Sequence, residues 1–137
     1  MRALEENGLS NTVDLVITSD HGMVKGTLMV DVWSELGNDA ELRKALEVVE
    51  DDAYLAVNVR ASSSPAVRER ALTALSKLPG GKFYRREEMP ERFRFRAHRR
   101  IPDVFVLGDE GTCYWVREFE PGVYCTLVHP LFVSVHI

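Results

Sequence analysis

Apolar residues recur along this chain in two rhythms, one helical and one alternating, and their succession predicts helices interleaved with short strands. The clearest helical stretch is Pro65 to Leu78. There Val67, Ala71, Leu72, Leu75 and Leu78 fall on one stripe, while Arg68, Glu69 and Lys77 stand outside it. Ser62-Ser63-Ser64-Pro65 supplies its start and Pro79-Gly80-Gly81 its end. A second helix is predicted from about Asp39, an N-cap residue type, to Val49, and Ala3 to Glu6 reads as a last helical turn closed by Asn7-Gly8. Extended segments are predicted at Val13–Thr18, Thr27–Val32, Ala53–Val59, Lys82–Arg86, Arg92–Arg96, Val104–Leu107 and Thr112–Val116. Val13–Thr18 is a β-branched apolar run between turn residues, the pattern of a buried strand. The interleaving implies an α/β fold with at least one parallel segment.

Composition narrows the classes without choosing among them. With 45% hydrophobic and 28% charged residues, the 137-residue chain fits a globular protein and excludes collagen, low-complexity disorder and a coiled coil. No internal repeat or linker divides it, so residues 1–137 are read as belonging to one domain. A fragment of a larger sheet would not bury a self-sufficient core. The net charge of -4 gives no bulk attraction to nucleic acid or an anionic membrane, so no nucleic acid binding is expected. Val123–Ile137, read as strand or core, is interrupted by His129, Pro130 and His136 and is too short for a membrane span. The first residues show no signal-peptide pattern.

Cys113 and Cys125 leave two readings open: one disulfide loop in an oxidising compartment, or two small buried hydrophobes in a reducing one. No cysteine or histidine spacing of the zinc-finger type is present. Phosphate-cradling glycine loops and the nucleophile elbow of serine hydrolases are absent from the sequence as well.

What remains is Ile17-Thr18-Ser19-Asp20-His21-Gly22-Met23, an acid and an imidazole side by side at the predicted end of a buried strand. Neighbours on a strand point to opposite faces, so Asp20 and His21 can serve one ion only where the chain has left the extended conformation, which Gly22 permits. Both are competent zinc ligands. A plain turn is the alternative, because Asp and Gly form turns for reasons unrelated to metals.

A second feature is charge. Arg85 to Arg100 holds seven arginines against three glutamates, with Phe93 and Phe95 between Arg92, Arg94 and Arg96. Strand alternation accounts for this by turning the aromatics to a core and the arginines to water, and that account is preferred to one in which the rings stack on nucleic-acid bases. His98, His129 and His136 are read as solvated or satisfied core groups.

The segment Val13-Asp14-Leu15-Val16-Ile17-Thr18-Ser19-Asp20-His21-Gly22-Met23 resembles the signature strand and loop of the nucleotide pyrophosphatase/phosphodiesterase family of the alkaline phosphatase superfamily. Pro90-Glu91-Arg92-Phe93-Arg94-Phe95 and Arg100-Ile101-Pro102-Asp103-Val104-Phe105-Val106-Leu107-Gly108-Asp109-Glu110-Gly111 are similar to later segments of that family, in the same order and at suitable separation. The likeness runs from about Leu4 to Gly111.

The resemblance implies an alkaline-phosphatase-like sandwich with a central, mostly parallel sheet flanked by helices, of which this chain is the C-terminal part. It also implies a zinc-dependent phosphodiesterase or pyrophosphatase acting on nucleotide or choline phosphodiesters. Asp20 and His21 would be metal ligands to one of two zinc ions, the one that also touches a nucleophilic threonine. Relatives of this kind are secreted or membrane-anchored ectoenzymes. In the resemblance Asp109-Glu110 is structural, not a catalytic pair.

Departures from the family pattern qualify this reading. The segment bearing the threonine and a further metal-binding aspartate, and the D-x-x-x-H segment that supplies the second zinc, lie upstream of the D-H-G loop in the family, and this chain is expected to be incomplete and inactive alone. Where the family has an H-G-Y-D-N run with another histidine ligand, Glu118 to Thr126 reads Glu-Phe-Glu-Pro-Gly-Val-Tyr-Cys-Thr. The alternative is therefore a catalytically inactive remnant acting as a binding or structural domain. A phosphonate or sulfate ester hydrolase shares the D-H-G loop, but the R-I-P and D-E-G segments argue against that branch.

Overall fold

A computed structural model describes residues 2–18, 22–116 and 126–129. In chain order the elements are α1 (Arg2–Glu6), β1 (Gly22–Lys25), β2 (Leu28–Asp31), α2 (Val32–Glu35), α3 (Ala40–Ala45), β3 (Leu46–Asp51), β4 (Tyr54–Val59), α4 (Pro65–Leu75), β5 (Gly81–Arg85), β6 (Val104–Gly108), β7 (Thr112–Trp115) and β8 (Thr126–His129). The class is α/β, as the interleaved pattern implied.

Helix α4 forms where the apolar stripe predicted it. The Ser64 hydroxyl accepts the Val67 N–H at 3.3 Å, and Pro65 sits in the first turn, where its missing N–H costs nothing. The helix ends at Leu75, short of the predicted Leu78, yet Leu78 remains buried in the same core. Ala71, Leu72 and Leu75 pack against a four-stranded sheet of order β3-β4-β6-β5, antiparallel throughout.

Alternation along the central strands sorts their side chains to two faces. Leu55, Val57 and Val59 of β4 join Val104 and Val106 of β6 in the core under α4, with Leu55 opposite Val106 and Val57 opposite Val104. Ala56 and Phe105 face the other way and meet Met89. Both faces are covered, so each of the larger apolar side chains contributes about 1.5–3 kcal/mol of burial.

Parallel pairing occurs between β2 and β7, while β1 and β8 pair antiparallel. Among the described residues the parallel character expected of the sheet is thus carried by β2 and β7. Tyr114 of β7 is fully buried, and its hydroxyl donates to the Pro79 carbonyl at 3.1 Å.

Three segments depart from the sequence-based expectation. The helix from Asp39 stops at Ala45, and Leu46–Asp51 is strand β3. Leu42, Ala45 and Leu46 do share helical spacing and are all buried, but Val48 and Val49 are β-branched and β4 offers a pairing edge. A register shift between Val48 and Glu50 leaves Val49 51% exposed.

Arg92–Arg96 forms no strand. Phe93 packs with Met89 and Phe105 over the sheet's second face, and the segment lies there as a short 3-10 helix, Glu91–Phe93, ended by Arg94 in the left-handed conformation at φ 52°, which interrupts any extended run. The predicted strand Val13–Thr18 is irregular, with Val16 81% and Ile17 87% exposed. A strand built to be buried on both faces needs neighbours on both sides, and no described strand pairs with this one.

Candidate functional site

Asp20 and His21, the predicted metal ligands, lie outside the described residues. The elements on either side of them are defined. The chain enters from residues 13–18, tied at their start by the Val13 N–H donating to the Leu9 carbonyl at 3.1 Å. It leaves through β1, whose first residue, Gly22, is paired across the ladder with His129 of β8. Met23, Val24 and Lys25 continue that register against Val128, Leu127 and Thr126. The antiparallel pairing thus brings the backbone at His129 beside the end of the D-H-G loop, a long-range relationship that spacing along the sequence does not reveal.

Zinc in a catalytic site typically keeps three protein donors. Asp20 and His21 have the right donor chemistry and are too few to complete such a site. Among the described residues no group of three or more His, Cys, Asp or Glu side chains could hold a metal.

The remaining titratable candidates occupy structural positions. The Asp109 N–H donates to the Gly80 carbonyl at 2.7 Å, and the Asp109 carbonyl accepts the Thr112 N–H at 2.9 Å. The D-E-G segment is therefore a tight connection between β6 and β7, in keeping with the structural role that the family resemblance implied for it. His98 is exposed, and its Nδ1 accepts the Arg100 N–H at 3.2 Å.

Cys113 is buried and disulfide-bonded, which decides between the two readings left open for it; Cys125 lies outside the described residues. Beside its sulfur, 3.4 Å away, is the carboxyl of Asp52. Burial pushes the Asp52 carboxyl above the usual range, with further upward pressure from Asp51 and then Glu50. The sequence signal for this acidic corner is the run Glu50-Asp51-Asp52 at the β3–β4 turn, which has no metal-ligand spacing.

The arginine-rich segment is anchored from below. Met89 is buried against Ala56 and Phe105, with Phe93 and Ile101 packed partly beside it. The Arg96 side chain donates to the Met89 carbonyl, and that of Arg86 donates to the Ile101 carbonyl at 3.0 Å. Phe95, expected to face a core, is 46% exposed while its ring meets Phe105 edge-on at 5.5 Å.

Known proteins share this architecture. Human ectonucleotide pyrophosphatase/phosphodiesterase 5 superposes with a TM-score of 0.70 at 24% identity, covering 84% of this chain and 29% of that one. Murine ectonucleotide pyrophosphatase/phosphodiesterase 5, solved also as an inactive variant in complex with AMP, gives a TM-score of 0.68 at 23% identity over 85% of this chain and 30% of that one. In sequence, the human family member 5 is 27% identical over 113 residues, which are 81% of this chain and 22% of that protein. The chain therefore spans about a fifth of the length of that curated relative.

The profile of the family described as Type I phosphodiesterase / nucleotide pyrophosphatase matches residues 1–127, from α1 through the D-H-G loop and the R-I-P and D-E-G segments into β8. This chain belongs to the Type I phosphodiesterase / nucleotide pyrophosphatase family.

Proposed function

We propose that this chain contributes Asp20 and His21 to one of two zinc sites in an enzyme that hydrolyses phosphodiester or pyrophosphate bonds of small nucleotide or choline phosphodiesters. The observation that carries the reading is the family match over residues 1–127, which includes the D-H-G loop. A carboxylate and an imidazole suit zinc, whose contribution in such a site is to stabilise negative charge on the transferring phosphoryl group. The further donors and the nucleophile must come from outside this chain, so the isolated polypeptide is expected to be inactive.

The disulfide at Cys113 supports an extracellular or membrane-anchored setting for the enzyme. Among the described residues no helix is long and apolar enough to cross a membrane.

The test is made in the complete enzyme that contains this chain. Asp20→Ala or His21→Ala should each remove one equivalent of zinc and most turnover of a chromogenic phosphodiester. Unchanged zinc content by elemental analysis would refute the ligand assignment.

A second reading, an inactive binding or structural remnant, is favoured by the sequence Glu118 to Thr126, which lacks the H-G-Y-D-N histidine. A complete enzyme that binds zinc fully yet turns over no phosphodiester would decide for it. Turnover by the isolated 137-residue chain in excess zinc would instead show that the donors sought elsewhere are already present.

A further inference from the structure

We propose that segment 92–100 is a docking surface for single-stranded nucleic acid, independent of the zinc reading above. Five arginines and no acidic residue lie between 92 and 100, in a chain whose net charge is -4. The account that made this segment an ordinary strand required alternation to hide both aromatic rings. No strand forms there, and the ring of Phe95 stands half open to solvent between Arg94 and Arg96.

Several arginines elsewhere sit beside carboxylates, while among the described residues Arg43, Arg60 and Arg68 do not; what sets this segment apart is that five such groups gather within nine residues. Arg70 is paired with Asp39 and Glu41, Arg85 approaches Glu69, and Arg86 approaches Asp103. Among the described residues Arg92, Arg94, Arg96, Arg99 and Arg100 have no carboxylate partner, and all five are exposed. Arg92 lies over the Phe93 ring at 4.5 Å and Arg96 is tied to the Met89 carbonyl, which leaves the Arg94, Arg99 and Arg100 side chains to meet a ligand. Of the neighbouring acids, Glu88 accepts the Arg85 N–H at 3.1 Å, while Glu87 and Glu91 are exposed at the segment's N-terminal flank.

The surface is held rather than loose. Met89, Phe93 and Ile101 fasten it to the sheet, and the edge contact with Phe105 fixes the Phe95 ring without covering it. Guanidinium groups match phosphate oxygens in paired, forked geometry, and an open ring between them offers a stacking platform. A sulfated polysaccharide would use the charges and ignore the ring. A bilayer would want more apolar surface than one half-exposed phenyl provides. A duplex keeps its bases stacked on each other. An unpaired strand uses both features.

The experiment is fluorescence anisotropy of the full chain with a labelled 12-nucleotide mixed-sequence DNA strand, with polyphosphate and phosphatidylserine vesicles as comparison ligands. Binding should weaken with salt at a log–log slope of about -2, corresponding to roughly three phosphates contacted. Replacing Arg94, Arg99 and Arg100 together by Ser should weaken binding at least tenfold and flatten that slope. Phe95→Leu, which keeps an apolar contact with Phe105, should weaken DNA binding several-fold and leave the slope and polyphosphate binding unchanged, and Phe95→Tyr should restore it.

Circular dichroism of each variant separates lost binding from lost fold, and the salt slope of the unsubstituted chain needs no variant. No binding at low salt, a triple variant that is folded and binds normally, or equal DNA affinity for the parent and Phe95→Leu proteins would each overturn the proposal. So would tighter binding to the vesicles than to the strand.

Discussion

The Asp103 carboxylate accepts the Val59 backbone N–H at 3.1 Å, and the Asp103 N–H donates in turn to the Asn58 side-chain oxygen at 3.2 Å. Asp103 stands just before β6, and Asn58 and Val59 end β4, so the pair of bonds fastens the R-I-P-D segment to the neighbouring strand where the ladder stops. Asp103→Ala leaves the Val59 N–H without that acceptor and should cost about 1–3 kcal/mol. Asp103→Asn keeps an acceptor oxygen and should cost less. Denaturant unfolding of the two variants checks the order, and equal losses would show that the acceptor at this position is not what matters.

Gly81 opens β5 directly against the sheet. A Cβ there would collide with the Tyr114 hydroxyl and the Leu107 carbonyl, and the second of these is backbone that cannot swing away. Gly81→Ala should therefore destabilise the fold by about 3 kcal/mol, the upper part of the usual range for overpacking. Gly37, at φ 69° with open space around it, makes the useful contrast. Gly37→Ala meets only backbone strain and should cost about 1–2 kcal/mol. Thermal unfolding of both compares the two costs, and a milder effect at Gly81 than at Gly37 would contradict the close approach.

How far the sequence disclosed this structure depended on whether a segment carried its own reasons. Helix α4 holds its cap, its first-turn proline and its apolar stripe within its own residues, and it forms almost where they put it. Strands β4 and β6 are equally self-announcing, because both faces of each are apolar. Leu46–Asp51 was hidden because Leu42, Ala45 and Leu46 share a helical stripe that continues, by coincidence, to Val49. Residues 92–96 alternate like a strand, but Phe93 is drawn onto Met89 and Phe105 across the sheet's second face and Arg94 turns left-handed, neither of which the alternation reports. The chemistry of the site was legible only as a motif, Asp20-His21-Gly22. The pairing of Gly22 with His129 joins residues too far apart for any local pattern to report.

Asp39 caps α3, accepting the Glu41 N–H at 2.8 Å and the Leu42 N–H at 3.1 Å, and it also meets Arg70. The Leu42 N–H is the largest influence holding its carboxyl below the usual range; slight burial opposes this, and the Glu41 N–H and Arg70 add to it. A carboxyl whose folded pKa is lowered contributes stability that is complete above its unfolded value and disappears as pH falls through the folded one. Asp39→Asn keeps a capping oxygen and loses the charge. The stability difference between the parent and Asp39→Asn should therefore be present at neutral pH and shrink on acidification below about pH 4. Unfolding curves from pH 7 to pH 2 check this, and a difference that grows in acid would reverse the sign assigned here.

Tyr114 gives a prediction at the other end of the pH scale. Its ring is fully buried, its hydroxyl donates to the Pro79 carbonyl, and burial, then the charge of Asp109, pushes its pKa from 10.0 to about 12. At neutral pH, Tyr114→Phe removes the hydrogen bond and leaves the Pro79 carbonyl without that donor, a loss of about 1 kcal/mol. In alkali the sign reverses. The unfolded chain releases the phenol proton near pH 10 while the folded chain holds it until about pH 12, so ionisation favours unfolding throughout that interval. The wild-type chain should lose about 2–3 kcal/mol there that the Tyr114→Phe variant does not lose. Other groups titrating in this range are common to both proteins and cancel in the difference. Denaturant unfolding from pH 8 to pH 12 should thus show two curves that cross, with the Tyr114→Phe protein the more stable above the crossing; parallel curves would mean that the Tyr114 hydroxyl ionises as freely folded as unfolded.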